Sequence, residues 1–205
     1  MKAVIRIYLC ALLSIALCAG CGGYPKRINY LPADAVILAF GDSITYGTGA
    51  APEESYPSEL ARLTGYEVIN AGVPGELTGD ALKRLPKLLE DYRPPLVILC
   101  HGGNDMLLNA PSGEIRANLE LMIDEIKSSG ADVILVGVPQ PGLFIRTAAI
   151  YKDIAKSKRV PSEQKILAEV LSAPSLRDDQ IHPNAEGYKR MARAIARLLP
   201  ERQGG

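Results

Sequence analysis

Tryptophan is missing from the 205 residues and phenylalanine occurs only twice. That leaves little from which to build an aromatic platform for sugars or single-stranded nucleic acid. Histidine also occurs twice, at positions 101 and 182, and of four cysteines only Cys100 lies beyond residue 21. So few ligands give neither a metal cluster at ligand spacing nor a disulfide framework. Charge of one sign is not in excess: 23 basic residues face 23 acidic ones. No basic face advertises a nucleic-acid partner. The glycine-rich stretches contain no Gly-x-Gly-x-x-Gly and no Gly-Lys-Ser/Thr, so the usual phosphate-binding loops are excluded. No cofactor is expected.

What is present begins with a leader. Lys2 and Arg6 precede an apolar stretch from Ile7 to Ala19, thirteen residues long. A membrane-spanning helix needs roughly 20 residues, so this length suits a signal-peptide core. It ends in Leu17-Cys18-Ala19-Gly20-Cys21, which resembles the bacterial lipoprotein processing site, although Cys18 stands where that site usually carries Leu. The resemblance implies a lipid on Cys21, an exported chain, and a membrane partner reached through the anchor, with the domain facing the periplasm or the cell exterior. Ordinary cleavage near Ala19 is the alternative. Removing residues 1–20 leaves 21 basic and 23 acidic residues, a net charge of −2. The expected organisation is a signal peptide over 1–20, a tether over 21–33, one domain over 34–200 and a tail over 201–205.

From Val36 onward, apolar runs alternate with helical stretches. Strands are predicted at 36–40, 67–70, 96–100 and 133–138, with a short fifth at 158–160. Helices are predicted at 56–63, 78–91, 112–127, near 148–156 and 162–171, and at 185–199, the second of them started by Thr78 as cap. Strands that are apolar without alternation, separated by helices, imply a parallel sheet covered on both faces. The expected fold is α/β, a three-layer α/β/α sandwich with about five strands.

Val36-Ile37-Leu38-Ala39-Phe40 runs straight into Gly41-Asp42-Ser43. A strand that stops at a glycine and hands over to a helix-starting turn presents the next side chain at the carboxyl end of the sheet, where open α/β folds bind ligands. Ser43 stands there as a candidate nucleophile. The search for its base is short. His182 follows Asp179 by three residues just before the last helix, a spacing that lets one tight loop join the carboxylate to the imidazole. Taken singly, each has a plainer reading: Ser43 as a helix cap, His182 as a surface residue before a helix, Asp179 as a solvated charge, Asn104 as a turn residue after two glycines. His101, after a buried strand, is the competing base. Cys100 reads as core.

Four blocks in order carry a resemblance to the GDSL, or SGNH, hydrolase family. Gly41-Asp42-Ser43-Ile44-Thr45 is similar to its first block, and Asn70 to Thr78 to its Gly block. Gly102-Gly103-Asn104-Asp105 is similar to its Asn block, and Asp179-Gln180-Ile181-His182 to its closing Asp-x-x-His. The resemblance implies Ser43 as nucleophile, His182 as general base and Asp179 as the carboxylate that orients it. It implies an oxyanion hole from the Ser43 N–H, a glycine N–H and the Asn104 amide. Alignment from Asn70 favours Gly75 over Gly72 for that glycine.

The implied activity is ester hydrolysis through an acyl-enzyme, on short-chain or aryl esters, thioesters or lysophospholipids. The segment Pro139 to Ile145 is expected to wall the acyl pocket, and loop shape around Gly75–Thr78 to set its size with it. A carbohydrate O-acetylesterase and a lipid-tethered binding domain without catalysis are the two alternatives.

Overall fold

The computed structural model describes residues 27–142 and 144–200. The expected signal peptide, Cys21 and the tail 201–205 lie outside the described residues. The expected tether does so only in part. Ile28 and Leu31 are buried, and the Ile28 N–H donates to the Leu198 carbonyl, so the domain takes in residues the sequence assigned to the tether.

The sheet contains β1 (Val36–Gly41), β2 (Glu67–Gly72), β3 (Leu96–Cys100), β4 (Asp132–Val136) and β7 (Ser162–Glu163). All neighbours are parallel, in the order β2-β1-β3-β4-β7. A small antiparallel pair, β5 (Pro139–Gln140) with β6 (Arg146–Thr147), stands beside it. Every residue of β3 is buried, as is β1 after Val36, which is why neither strand alternates in sequence. Full burial of each Leu, Ile or Val contributes about 1.5–3 kcal/mol.

The helices are α1 (Ser43–Tyr46), α2 (Tyr56–Thr64), α3 (Thr78–Tyr92), α4 (Gly103–Leu107), α5 (Ser112–Ser128), α6 (Ala149–Lys158), α7 (Ile166–Ser172) and α8 (Ala185–Ala196). α2 packs on α8, while α3, α5 and α6 pack side by side. The result is the α/β/α sandwich read from the alternation.

Several boundaries differ from expectation. The fifth strand lies at Ser162–Glu163, because residue 158 still belongs to α6 and Arg159 takes the left-handed conformation that ends it. Carbonyls of Pro161 and Glu163 accept from the Leu135 and Gly137 N–H groups, so the stretch expected to open a helix extends the sheet. The following helix therefore starts later, at Ile166, and β4 ends at Val136 rather than 138. The last helix ends at Ala196 rather than 199. Thr78 is the first residue of α3 rather than its cap. Its N–H and hydroxyl both donate to the Asp105 carboxylate, at 3.0 and 2.6 Å for the shortest contacts. A carboxylate from another element takes the orphan donors that a cap would satisfy.

The order of strands has one consequence for function. The chain leaves β1 toward β2 on one side and returns to β3 on the other, so the loops after β1 and β3 diverge and open a crevice at the carboxyl edge.

Candidate active site

Ser43 enters that crevice from the end of β1. Gly41 lies in register with Gly72 on one side and Cys100 on the other. A Cβ on Gly41 would fall 2.2 Å from the Cys100 carbonyl oxygen, so the close approach of β1 to β3 requires glycine there. Asp42 is buried and caps α1, its Oδ1 accepting from the Ile44 N–H at 3.0 Å. Burial pushes its carboxyl up, against the opposing pull of His101, the Ile44 N–H and His182. Asp42 therefore braces the turn from behind, and Ser43, half-buried, faces the cavity.

The histidine arrives from the opposite end of the chain. Asn184 caps α8 through the Gly187 N–H at 3.1 Å, and the Asp178 N–H donates to the His182 carbonyl at 2.9 Å. Asp179 Oδ1 accepts from the Ile181 and His182 N–H groups at 2.7 and 2.8 Å. These bonds fix a closed loop on which Asp179 Oδ2 lies 2.8 Å from His182 Nδ1. A carboxylate only accepts, so Nδ1 carries the proton and the Nε2 lone pair is left to face Ser43 Oγ at 3.0 Å. Burial raises the Asp179 carboxyl, but the bonds from His182 and the two backbone N–H groups outweigh it and hold it below the usual carboxylate range. Ser43, His182 and Asp179 thus form one continuous chain of hydrogen bonds.

The groups expected as oxyanion donors are engaged unequally. Asn104 lines the cavity at the start of α4, and its Nδ2 donates to the Glu76 carbonyl at 3.0 Å, leaving one amide hydrogen free among the described contacts. Gly75 takes φ +77°, with open space where a Cβ would sit. It occupies the turn in which the Glu76 N–H donates to the Val73 carbonyl, and its own N–H has no bond among the described residues. Gly72 differs: it lies in β2, its N–H donates to Asn70 Oδ1 at 3.0 Å, and it packs against the Tyr46 backbone. Of the two glycines, Gly75 retains the unengaged donor.

His101 does not compete as base. It is fully buried at the end of β3 and bonded to Glu76. Cys100 is buried too, and burial pushes its thiol well up, as for a core residue.

The cavity beside Ser43 has a volume of about 470 Å³. Leu107, Val138, Ile145, Leu167, Leu171 and Ile181 form its apolar wall, and Pro139 to Gly142 contribute as expected. Phe144 points to solvent, and Leu143 lies outside the described residues. The Gly75–Thr78 loop, expected to set pocket size, does not line the cavity. Arg177 and Gln180 do line it, and sequence reasoning passed over both. It also assigned no role to Glu76, which lies inside the Gly block, or to Arg84. Arg84 had a signal: it shares a helical face with Ala81, Leu85 and Leu88, and a charge on an apolar stripe requires a buried partner.

Known proteins share this arrangement of elements. The GDSL-like Lipase/Acylhydrolase family matches residues 39–190. An arylesterase of Vibrio mimicus is 33% identical over 178 residues, 82% of this chain and 89% of that protein. Thioesterase 1/protease 1/lysophospholipase L1 of Escherichia coli K12 is 29% identical over 171 residues, 80% of this chain and 82% of that protein. The crystal structure of TesA matches at 25% identity with a TM-score of 0.73, covering 80% of this chain and 97% of its own. The chain belongs to the GDSL-like lipase/acylhydrolase family and is an ester hydrolase.

Proposed function

We propose that the protein is a serine esterase that hydrolyses short-chain acyl or aryl esters through an acyl-enzyme on Ser43. The observation that carries this reading is the chain of contacts from Ser43 Oγ to His182 Nε2 at 3.0 Å and from His182 Nδ1 to Asp179 at 2.8 Å. Ser43 Oγ attacks the ester carbonyl while His182 Nε2 takes its proton. The carbonyl oxygen becomes an oxyanion that the Ser43 and Gly75 N–H groups and the Asn104 amide stabilise. Collapse breaks the ester bond, and the His182 imidazolium returns the proton to the leaving alcohol. Water then attacks the acyl-serine with His182 again as base, and the acid departs. Asp179 stays ionised throughout and holds the imidazole in the required tautomer. Losing one such donor typically costs about 3–4 kcal/mol of transition-state stabilisation.

The wall of Leu107, Val138, Ile145, Leu167, Leu171 and Ile181 supports an aliphatic or aryl acyl group as the occupant. Among the described residues it holds no Phe or Tyr on which a sugar ring would stack, which favours this reading over a sugar O-acetylesterase. A series of p-nitrophenyl esters from acetate to decanoate tests it. Hydrolysis is expected across the short chains, with loss in Ser43→Ala. Full activity in Ser43→Ala, or turnover confined to acetylated sugars, overturns it.

The leader completes the proposal: export, a lipid on Cys21, and a domain held near a membrane through that anchor. Metabolic labelling with a radioactive fatty acid is expected to mark the wild-type chain and to be lost in Cys21→Ser.

A further inference from the structure

Behind the Ser43 loop lie three ionisable side chains that the proton relay does not use. Arg84 Nε donates to Glu76 Oε1 at 2.6 Å and its Nη2 to Glu76 Oε2 at 2.7 Å. The same Nη2 donates to the Ala71 carbonyl at 2.9 Å and to the Gly41 carbonyl at 3.2 Å. The guanidinium also lies 4.3 Å from the centre of the Phe40 ring. One side chain thus ties the carboxyl ends of β1 and β2 to the residue that follows Gly75.

His101 closes the arrangement from β3. The Gly102 N–H donates to its Nδ1 at 3.1 Å, which makes Nδ1 the acceptor and leaves the proton on Nε2. That Nε2–H donates to Glu76 Oε2 at 3.0 Å. The His101 carbonyl meanwhile accepts from the Tyr151 hydroxyl at 2.7 Å, so the residue is held on three sides. Glu76 is the hub. Its carboxylate takes Arg84 and His101, and its backbone carbonyl takes the Asn104 amide.

We propose that His101 and Glu76 are positioning residues for an oxyanion donor: through the Glu76 main-chain carbonyl they fix the orientation of the Asn104 amide. Neither touches substrate. The inference rests on the oxyanion reading given above. Its physical basis is that a donor worth several kcal/mol in the transition state must already point at the oxyanion when charge develops. Asn104 alone, on the first turn of the short helix α4, has a side chain free to rotate. The Glu76 carbonyl holds one of its two amide hydrogens and thereby aims the other. A packing role alone would not need this chemistry, since an apolar side chain at 101 would fill the space without a buried polar network to satisfy.

A double-mutant cycle on the full-length protein tests this with p-nitrophenyl acetate. Asn104→Ala is expected to lower kcat about 10²- to 10³-fold. His101→Leu is expected to lower kcat roughly tenfold or more with KM changed less than about twofold, since only transition-state contacts weaken. In the Asn104→Ala background, His101→Leu should cost less than about threefold further, because the donor it aims is gone. His101→Gln, whose amide can donate to Glu76 and accept from the Gly102 N–H, should restore most of kcat.

Factors that multiply in the double variant overturn the proposal, as does a rise in KM with kcat held. If Asn104→Ala alone leaves kcat unchanged, the oxyanion reading itself fails and the positioning role falls with it. If Asn104→Ala is slow but His101→Leu is fast, only the positioning role fails. Should His101→Leu not fold, Glu76→Gln carries the same cycle and the same outcomes, since it leaves Arg84 and His101 to compete for one acceptor oxygen.

Discussion

Ser43 Oγ and His182 Nε2 lie 3.0 Å apart although the two residues are 139 positions apart in sequence. Nothing local brings them together. Ser43 is set by the end of β1 and the Asp42 cap, His182 by the loop before α8, and the packing of α8 on α2 joins the two. On the proposed mechanism His182→Ala removes the base and should lower kcat by roughly 10³-fold or more. Asp179→Asn should lower it roughly 10²- to 10⁴-fold, because an amide facing Nδ1 can favour the opposite tautomer. Both should fold, which circular dichroism checks. Steady-state kinetics on p-nitrophenyl acetate reads the rates.

Much of this architecture was legible in the residues. β1 and β3 are uninterrupted apolar runs because both faces are covered, and the same burial gives α3 and α5 their apolar stripes. Ser43 was singled out by its place at the end of an apolar strand and His182 by its spacing from Asp179, whereas Asn104 entered through the resemblance to the family's Asn block. Two kinds of feature were not legible. β7 is two residues long and owes its conformation to β4, so no periodicity exposes it. Glu76, Arg84 and His101 are joined across three elements, and a pattern along one chain does not show which buried charges meet.

Asp105 offers a test of stability. Its carboxylate takes the N–H and hydroxyl of Thr78, all three groups buried. Asp105→Ala leaves those donors without an acceptor, a cost of about 2–4 kcal/mol. Urea unfolding should show the midpoint fall with little change in slope.

Acid should weaken the fold in part through Glu76. Burial raises its carboxyl, but the bonds from His101 and Arg84 prevail and hold it below its ordinary value of 4.5. A folded-state value below the unfolded one means the unfolded chain binds the proton first. The stability this group contributes is therefore complete above about pH 4.5, the unfolded value, and is lost as pH falls through the lower folded value. Glu76→Gln should be less stable than wild type at neutral pH, with the gap narrowing as pH falls through that window. Urea midpoints from pH 7 downward measure it.

The cavity wall predicts chain-length preference. Ile145 is partly buried and lines the pocket beside Pro139 to Gly142. Ile145→Trp fills part of the space and should reduce kcat/KM for p-nitrophenyl octanoate about tenfold or more, while acetate changes less than about threefold. Equal losses on both esters would place the acyl group elsewhere.

The most direct test of Ser43 as the reacting group is intact-protein mass spectrometry after exposure to a fluorophosphonate, whose phosphorus is attacked by an activated serine with loss of fluoride. The account predicts one adduct per chain, mapped by peptide analysis to Ser43, absent in Ser43→Ala and strongly slowed in His182→Ala. An adduct that persists in Ser43→Ala, or maps to another residue, would contradict it.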